Sequence, residues 1–436
     1  MMWAVIISTL LLFGFGGVAL GATLMAAGLT LFGLFVGGGG NLAIAFEGVW
    51  ATLNNFAFSA ILLFVLIGEL FFASGLSTRS YGAVAPLFQR IPGRLLHTNV
   101  VVCMMFGAVS GTSSATAAAV GAAAYPELSR RKYHKGTIVG SLAAAGTLGL
   151  LIPPSLTLIL FGAMTDTSIG KLFLAGIVPA LGFGLAFMIF IAARTQINPS
   201  LLPKEYERLG LVHCLTALVQ VWPLIFLMFS VLGPLYSGMA TPTESAAFGF
   251  FMVLLLGLTI GDLTPTSLVP VLMSAMAKYG AIVFVIVGAV VLKTAVAMLG
   301  LPRELIAFIS ESGLGPYTVF FGIVVIYIAL GCLFDGISML LLTVPFIAPL
   351  LFGLGFDPVW LGVIITILIE IGMVTPPVGP NLFILSSIAN NEVSVGEAAR
   401  ETLPYWLILL SGIAILTIVP EVVTWLPDKL LGSVAD

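Results

Sequence analysis

The sequence predicts an all-α polytopic membrane protein built from two inverted repeats, each with a re-entrant helical hairpin and a broken transmembrane helix. Three observations carry this prediction. The 436 residues are 60% hydrophobic and only 8% charged, whereas soluble globular domains carry about 25% charged residues. Two apolar stretches each contain a doubled proline, and they lie in two halves of the chain that share an order of features.

Apolar runs long enough to cross a hydrocarbon core of about 30 Å recur along the whole chain. The first two are short, so a single tilted helix there is an open alternative. The sequence holds no Ser/His/Asp set, zinc site, phosphate loop or nucleic-acid surface, so we predict a protein that is not an enzyme. The predicted spans lie near 2–16, 17–37, 52–75, 136–165, 172–193, 215–233, 240–260, 272–298, 357–390 and 403–421.

Doubled prolines interrupt two of these spans, in "GLLIPPSLTLILFG" (149–162) and "GMVTPPVGPNLFIL" (372–385). Each proline removes a backbone N–H and clashes with the carbonyl one turn earlier, so each pair should break its helix. Inside a membrane, unpaired backbone groups are tolerated only where protein or water covers them. A kink relieved by neighbouring helices is the alternative for a single break, but the recurrence favours a binding site.

The two halves of the chain show an internal repeat. A shift of 223 residues aligns Gly149 with Gly372, and it aligns both prolines of the first pair with both of the second. The same shift brings Glu69 to within one residue of Lys293, and both are rare charges inside apolar runs. We predict that these two form a buried pair or contact another subunit.

The interval 95–128 is apolar, and the basic stretches "IPGR" (91–94) and "SRRKYHK" (129–135) flank it. Both flanks should therefore face the cytoplasm, yet two full crossings need about 40 residues. We predict a re-entrant hairpin with its tip at "SGTSSAT" (110–116). By the repeat, 318–352 is a second hairpin with its tip at 335–338, entering from the outer side because its flanks lack Lys and Arg.

The two breaks and the two tips should meet near the midplane, where secondary transporters place their sites. Carbonyl and hydroxyl oxygens suit a hard cation, whereas the alanines and glycines of the first tip favour close helix packing. For Asp335, a helix cap and a direct ligand are both open, and the role of Glu370 is undecided. The candidate substrate-binding residues are Ser110, Thr112, Ser114, Thr116, Ser155, Ser338 and Asn381.

Five stretches across nearly the whole chain resemble the large membrane (M) subunit of the tripartite ATP-independent periplasmic (TRAP) transporters, in the ion transporter superfamily. Thr116 departs from the pattern, because some members have an acidic residue there. The resemblance implies Na⁺ ligands at Ser110, Ser113, Gly149, Ile152, Pro154, Asp335, Gly336, Gly372, Thr375 and Val378. The stretches are "AVSGTSSATAAAVG" (108–121), "GLLIPPSLTLILFG" (149–162), "SIGKLFLAGIVPAL" (168–181), "YSGMATPTESAAFG" (236–249) and "GMVTPPVGPNLF" (372–383).

The resemblance further implies uptake of an organic anion, such as a dicarboxylate or sialic acid, across the bacterial inner membrane by an elevator mechanism. Two or more Na⁺ ions would be co-transported, with no organic cofactor. The implied partners are a small four-helix membrane subunit (Q), a periplasmic substrate-binding protein (P) and membrane lipid, with no nucleic acid. Scaffold helices would lie in 1–96 and, after a cytoplasmic linker, in 195–316; transport-domain elements would lie in 97–194 and 317–436.

Two other functions are open from the sequence. A stand-alone Na⁺/dicarboxylate symporter of the same superfamily shares the hairpin and broken-helix plan, and it would need neither a binding protein nor a small subunit. An antiporter-like subunit of a proton-pumping complex would need a line of intramembrane Lys, Glu and His, and the sequence holds few of these.

Overall fold

The computed structural model describes residues 1–37, 39–204, 219–332 and 334–432, and these residues form helices joined by short loops, with no strand. The first half contains α1 (Met2–Phe15), α2 (Leu20–Leu31), α3 (Gly39–Leu53), α4 (Phe56–Ala73), α5 (Leu76–Val84), α6 (Leu95–Ser110), α7 (Ser113–Arg130), α8 (Lys135–Thr147), α9 (Leu156–Thr165) and α10 (Ile169–Ile197).

The second half follows the same order of long and broken helices. It contains α11 (Trp222–Tyr236), α12 (Pro242–Thr259), α13 (Pro265–Met298), α14 (Leu301–Glu311), α15 (Pro316–Gly331), α16 (Gly336–Gly353), α17 (Pro358–Met373), α18 (Pro380–Ile388), α19 (Val395–Ile418) and α20 (Glu421–Leu431). Every predicted span coincides with one of these helices or with a broken pair, and the start of the span 215–233 lies outside the described residues.

Five of the described helices are long and apolar enough to cross a membrane, or six if α3 and α4 count as one bent span. These five are α10, α12, α13, α16 and α19. The membrane class predicted from composition is therefore confirmed. The two short N-terminal spans are separate helices, α1 and α2, which pack against each other, so a single tilted helix there is excluded.

Helix α3 was not predicted, because the predicted spans leave residues 38–51 without a helix. Its start is rich in glycine and Glu47 lies in its middle, so the sequence of this helix has no long uninterrupted apolar run. The helix bends by 51° against α4 and packs on α13. A Cβ atom on Gly48 would lie 3.3 Å from the Thr294 hydroxyl, so the glycine permits this close approach.

Helices α5 and α14 each lead from a long helix into a hairpin, and neither helix was predicted from the sequence. Each is short, with nine and 11 residues. Helix α14 is amphipathic, with apolar residues spaced along one face. Because α5 packs on α6 and α7, and α14 packs on α16, each short helix holds the base of a hairpin.

Both predicted hairpins are present as pairs of packed helices, whereas their re-entry into the membrane stays a prediction. Helices α6 and α7 form the first, and α15 and α16 form the second, with the two arms of each in contact. In the first tip, Gly111 adopts a left-handed conformation with φ 64°, which glycine permits without strain. In the second hairpin, Tyr327 and Thr343 join the arms through a hydrogen bond of 2.5 Å between their hydroxyl oxygens.

The doubled prolines break two helices, as predicted. Helix α8 ends at Thr147 and is followed by a 3₁₀ turn (Leu148–Leu150), and α9 then begins at Leu156. In the second half, α17 ends at Met373 and α18 begins at Pro380. Both Pro-Pro peptide bonds are cis. The inverted relation of the halves and their orientation in the bilayer stay predictions.

The long helix α13 is the centre of a group of helices formed with α2, α3 and α4, and we call this group the scaffold. Small residues bring α2 and α13 together. A Cβ atom on Gly288 would lie 2.2 Å from the Gly21 carbonyl oxygen, and one on Gly28 would lie 2.8 Å from the Leu292 nitrogen. Such close backbone contact is the usual way to join helices in lipid, where apolar burial gives little driving force.

Candidate functional site

A cavity of about 700 Å³ lies between the two hairpin tips and the scaffold helices α4 and α13. Its volume suits a small organic molecule. Most of its wall is apolar, and the polar groups come from four places: the first tip, the second tip, the scaffold and the start of α9. These polar residues are Ser110, Thr112, Ser113, Ser114, Thr157, Asp335, Glu69, Ser274 and Lys278.

Hydrogen bonds connect several polar groups within the first tip. The Ser110 and Thr116 hydroxyl oxygens lie 2.7 Å apart, and both side chains also donate to the Thr112 carbonyl, at 3.3 and 2.8 Å. Thr116 is fully buried and its hydroxyl belongs to this internal network. Ser110, in contrast, lines the cavity together with Thr112, Ser113 and Ser114.

Asn381, in α18 of the second half, contacts the first tip. Its side-chain amide donates to the Ser113 hydroxyl at 2.7 Å and to the Ala143 carbonyl at 3.3 Å. The residue is fully buried, and its Oδ1 has no hydrogen-bond partner among the described residues. Asn381 thus joins the first tip to α8. It is not among the residues that line the cavity.

The first break lies directly behind the first tip. A Cβ atom on Gly107 would lie 2.0 Å from the Gly149 Cα, so the two backbones touch. Residues 153 and 154 are prolines without an N–H, so the carbonyls of residues 149 and 150 lose their helical donors. Pro154 and Ser155 are buried and Ile152 is partly buried. The Ser155 hydroxyl accepts from the Leu158 N–H at 3.3 Å and begins α9.

The second break has a similar relation to the second hairpin. A Cβ atom on Gly331 would lie 2.3 Å from the Gly372 Cα. The Gly372 carbonyl accepts from the Thr375 N–H at 3.1 Å. The Thr375 hydroxyl donates to the Ile371 carbonyl at 2.5 Å and accepts from the Trp406 indole at 3.0 Å.

The two breaks differ in exposure. Residues 153–155 are buried, whereas 376–378 are exposed on the surface of this chain. Val378 is 38% exposed. The Pro376 carbonyl accepts a hydrogen bond from the Cys332 thiol, with 3.1 Å between sulfur and oxygen. The predicted sodium ligands therefore form two clusters, one enclosed beside the first tip and one more open beside the second.

Asp335 caps the helix that begins the second arm of its hairpin. Its Oδ2 accepts from the Ser338 N–H at 3.3 Å, so the capping alternative from the sequence is observed. The side chain is also exposed and lines the cavity beside Gly336. Ser338 lies in the first turn of α16 and is partly buried.

An ion pair on the scaffold lies across the cavity from the tips. Lys278 of α13 donates to Glu69 Oε1, and the Ser274 hydroxyl donates to Glu69 Oε2 at 2.9 Å. The predicted pair of Glu69 with Lys293 is therefore wrong: Lys293 donates to the Met164 carbonyl at 2.9 Å. The internal repeat suggested Lys293 as the partner of Glu69, but the packing of α4 on α13 brings Glu69 to Lys278 instead.

Glu370 is a second group that the sequence reading left undecided. It is fully buried in α17, and neither carboxyl oxygen has a hydrogen-bond partner among the described residues. The carboxyl group lies beside the backbone of Leu151, in the first break. Helix α17 of the second half thus packs against the first break as well as leading into its own.

The donor atoms around the tips suit a hard cation. Within the described residues, no group of three or more His, Cys, Asp and Glu side chains is placed to hold a metal ion. The atoms present are hydroxyl and carbonyl oxygens with one cavity-lining acid at the second tip. Such oxygen sets suit alkali and alkaline-earth ions and disfavour softer metals.

Comparison with known proteins agrees with this architecture. A family model described as the DctM component of the tripartite ATP-independent periplasmic transporter matches residues 7–422. The C4-dicarboxylate TRAP transporter large permease protein DctM of Pseudomonas aeruginosa is 34% identical over 385 residues, covering 88% of each chain. The sialic acid TRAP transporter large permease protein SiaM of Vibrio cholerae is 29% identical, covering 96% of each chain.

The fold also resembles that of a solved transporter. The crystal structure of the Alcanivorax borkumensis YdaH transporter aligns with a TM-score of 0.65, covering 96% of this chain and 99% of that one, at 14% sequence identity. This likeness concerns the fold alone. The family match and the high coverage of the relatives together assign the function class: the chain belongs to the DctM family of large permease subunits of TRAP transporters.

Proposed function

We propose that this subunit imports an organic anion across the bacterial inner membrane, driven by a Na⁺ gradient. A periplasmic substrate-binding protein delivers the anion, and a small four-helix membrane subunit supports the scaffold. The observation that carries the proposal is the cavity shared by both hairpin tips and the scaffold. The family assignment sets aside the antiporter-like alternative.

The anion class follows from what the relatives share. The names of the two similar permeases give a C4-dicarboxylate and sialic acid as the transported solutes. These molecules differ in size and shape, but each carries a carboxylate. The cavity of about 700 Å³ accommodates either, and its polar groups lie at the two tips, on the scaffold and at the start of α9.

Sodium coupling is supported by the backbone at the two breaks. The prolines leave the carbonyls of residues 149 and 150 without helical donors, and such carbonyls coordinate Na⁺ in transporters with broken helices. Hydroxyls of Ser110 and Ser113 lie at the adjacent tip, and Thr375 lies at the second break. Two Na⁺ sites, one for each cluster, are the simplest arrangement that uses all these groups.

Elevator motion is supported by where the scaffold meets the moving elements. The hairpins, the broken helices, α10 and α19 would move as one transport domain against the scaffold together with α11 and α12. Among the described residues, the two groups contact each other through few polar interactions, and the hydrogen bond from Lys293 to the Met164 carbonyl is one of them. A Cβ atom on Gly68 would lie 3.2 Å from the Ser110 Cα, so the first tip touches the scaffold directly.

Uptake into proteoliposomes tests the proposal. The subunit is reconstituted with its small partner, and a panel of radiolabelled acids (succinate, malate and N-acetylneuraminate) is offered with the binding protein outside. We expect that at least one acid is taken up. This uptake should require an inward Na⁺ gradient and the binding protein, and it should not require ATP. Equal uptake without Na⁺ contradicts the coupling. Full uptake without the binding protein favours the stand-alone symporter.

A further inference from the structure

We propose that Lys278 is the group on the scaffold that binds the carboxylate of the transported anion. Glu69, whose carboxylate also accepts a hydrogen bond from Ser274, holds the Lys278 ammonium group at the cavity wall, and the anion binds the N–H donors that Glu69 leaves free. This inference rests on the proposed transport of an organic anion, and it adds a specific binding residue outside the tips and breaks.

The position of Lys278 is unusual for a charged residue. It lies 13 residues after the start of α13, which is about 20 Å along the helix at 1.5 Å per residue. Glu69 lies in the apolar helix α4. Charged side chains within spans are costly, and they face a cavity or pair with each other. Lys278 and Glu69 do both.

The geometry of the pair leaves the lysine available to a ligand. The side chain of Lys278 is 56% exposed, whereas that of Glu69 is 18% exposed. Each Glu69 oxygen already has a donor, from Lys278 and from Ser274. A lysine ammonium carries three N–H donors, and the bond to Glu69 uses one of them. The acid is thus fixed and largely covered, while the ammonium group extends into the cavity.

Lys293, a second lysine of the same helix, has a structural contact instead of a place in the cavity wall. Lys293 lies 15 residues further along α13, and it donates to the Met164 carbonyl near the end of α9. A cation at a helix C-terminus satisfies carbonyls that lack helical donors. Lys293 is not among the residues that line the cavity. The two lysines therefore provide a matched pair for mutagenesis.

The charge of the cavity wall agrees with coupling to cations. Glu69 and Asp335 are acidic and Lys278 is basic, so the wall carries one more acid than base. An anion that binds beside Glu69 shares the single positive charge of Lys278 with that carboxylate. Bound Na⁺ ions would offset the added negative charge, which makes binding of the anion and of the cations mutually favourable.

The test measures uptake by four variants in the proteoliposome assay, using whichever acid of the panel wild type imports fastest. Lys278→Met should lower the uptake rate about tenfold or more, because a charge-assisted hydrogen bond is lost. Lys278→Arg, which keeps the charge, should stay within about threefold of wild type by the same reasoning. Lys293→Met removes a charge from the same helix away from the cavity, and it should import at near the wild-type rate.

A double variant separates anion binding from simple neutralisation of Glu69. If Lys278 only neutralises its partner, Glu69→Gln combined with Lys278→Met should restore uptake. If Lys278 binds the anion, the double variant stays as inactive as Lys278→Met, while a thermal shift caused by Na⁺ alone persists in both. Restored uptake, or wild-type uptake by Lys278→Met, overturns the inference. No uptake of any acid by wild type overturns the proposed function itself.

Discussion

Gly107 and Gly149 touch through their backbones, since a Cβ atom on the first would lie 2.0 Å from the Cα of the second. The same contact recurs between Gly331 and Gly372, where the distance would be 2.3 Å. In each half, this contact joins the first arm of a hairpin to a helix just before its Pro-Pro break. It therefore fixes the distance between tip and break, and so the size of any ion site between them.

Replacing either partner by alanine should separate a tip from its break. Gly149→Ala places a methyl group where no space exists, and overpacking of this kind costs about 1–3 kcal/mol. We expect a lower thermal unfolding midpoint and a higher Na⁺ concentration for half-maximal uptake. Gly182→Ala is the control, because nothing lies within 4 Å of its added Cβ. If Gly149→Ala has the same stability and Na⁺ response as Gly182→Ala, the contact does not fix the distance between tip and break.

Asn381 should couple the second half of the chain to the first tip. Its bond to the Ser113 hydroxyl is 2.7 Å long and buried, and a buried neutral hydrogen bond contributes about 1 kcal/mol. In a double-mutant cycle of Asn381→Ala and Ser113→Ala, the unfolding free energies should be non-additive by about that amount. Additive effects would mean that the bond does not contribute to stability.

Thr375 should influence Na⁺ affinity through the second break. Thr375→Ala removes a candidate ligand, so the Na⁺ concentration for half-maximal uptake should rise severalfold. The Trp406 indole also loses its acceptor, at a cost of about 1–3 kcal/mol, so Thr375→Ser is needed to keep the hydroxyl and the fold. Thr366→Ala is the matched control, a buried threonine in α17 bonded only to its own helix. An unchanged Na⁺ dependence of Thr375→Ala uptake would remove this residue from the site.

Cross-linking tests the proposed division into scaffold and transport domain. In a cysteine-free background (Cys103, Cys214 and Cys332 replaced), cysteines at 164 and 293 are joined by a short bis-maleimide whose spacer contains a disulfide that a reducing agent cleaves. The Lys293–Met164 contact crosses the proposed boundary, so uptake should stop and recover when the linker is cleaved. Cysteines at 48 and 294, which lie close together within the scaffold, form the control. Normal uptake by fully cross-linked 164–293 protein argues against an elevator.

Local chemistry explains which parts of the fold the sequence could predict. The Pro-Pro breaks follow from missing N–H groups. The first hairpin follows from its basic flanks and a short interval, and the second follows from the internal repeat, so all were predictable without a structure. Helix α3 was missed because Gly39, Gly40 and Asn41 hide its start. Helix α14 was missed because an amphipathic helix of 11 residues resembles a loop between two spans.

The polar contacts of the site were harder to predict, because they join distant parts of the chain. Glu69 has its partner 209 residues away, and the repeat pointed to a different lysine. Asn381 reaches the first tip across 268 residues. Residue type identified these groups as unusual in a membrane, but only helix packing decides which of them meet.

The most direct test of the account concerns the first doubled proline. We propose that the prolines hold the carbonyls of residues 149 and 150 open and that Na⁺ replaces the missing donors. Thermal unfolding of the purified protein is measured in Na⁺ and in K⁺, for wild type and for Pro153→Ala combined with Pro154→Ala. We expect Na⁺ to raise the unfolding midpoint of wild type, and the double variant to be at least as stable in K⁺ but to gain nothing from Na⁺. An unchanged Na⁺-induced shift in the double variant would contradict the first ion site and leave the prolines as a simple kink.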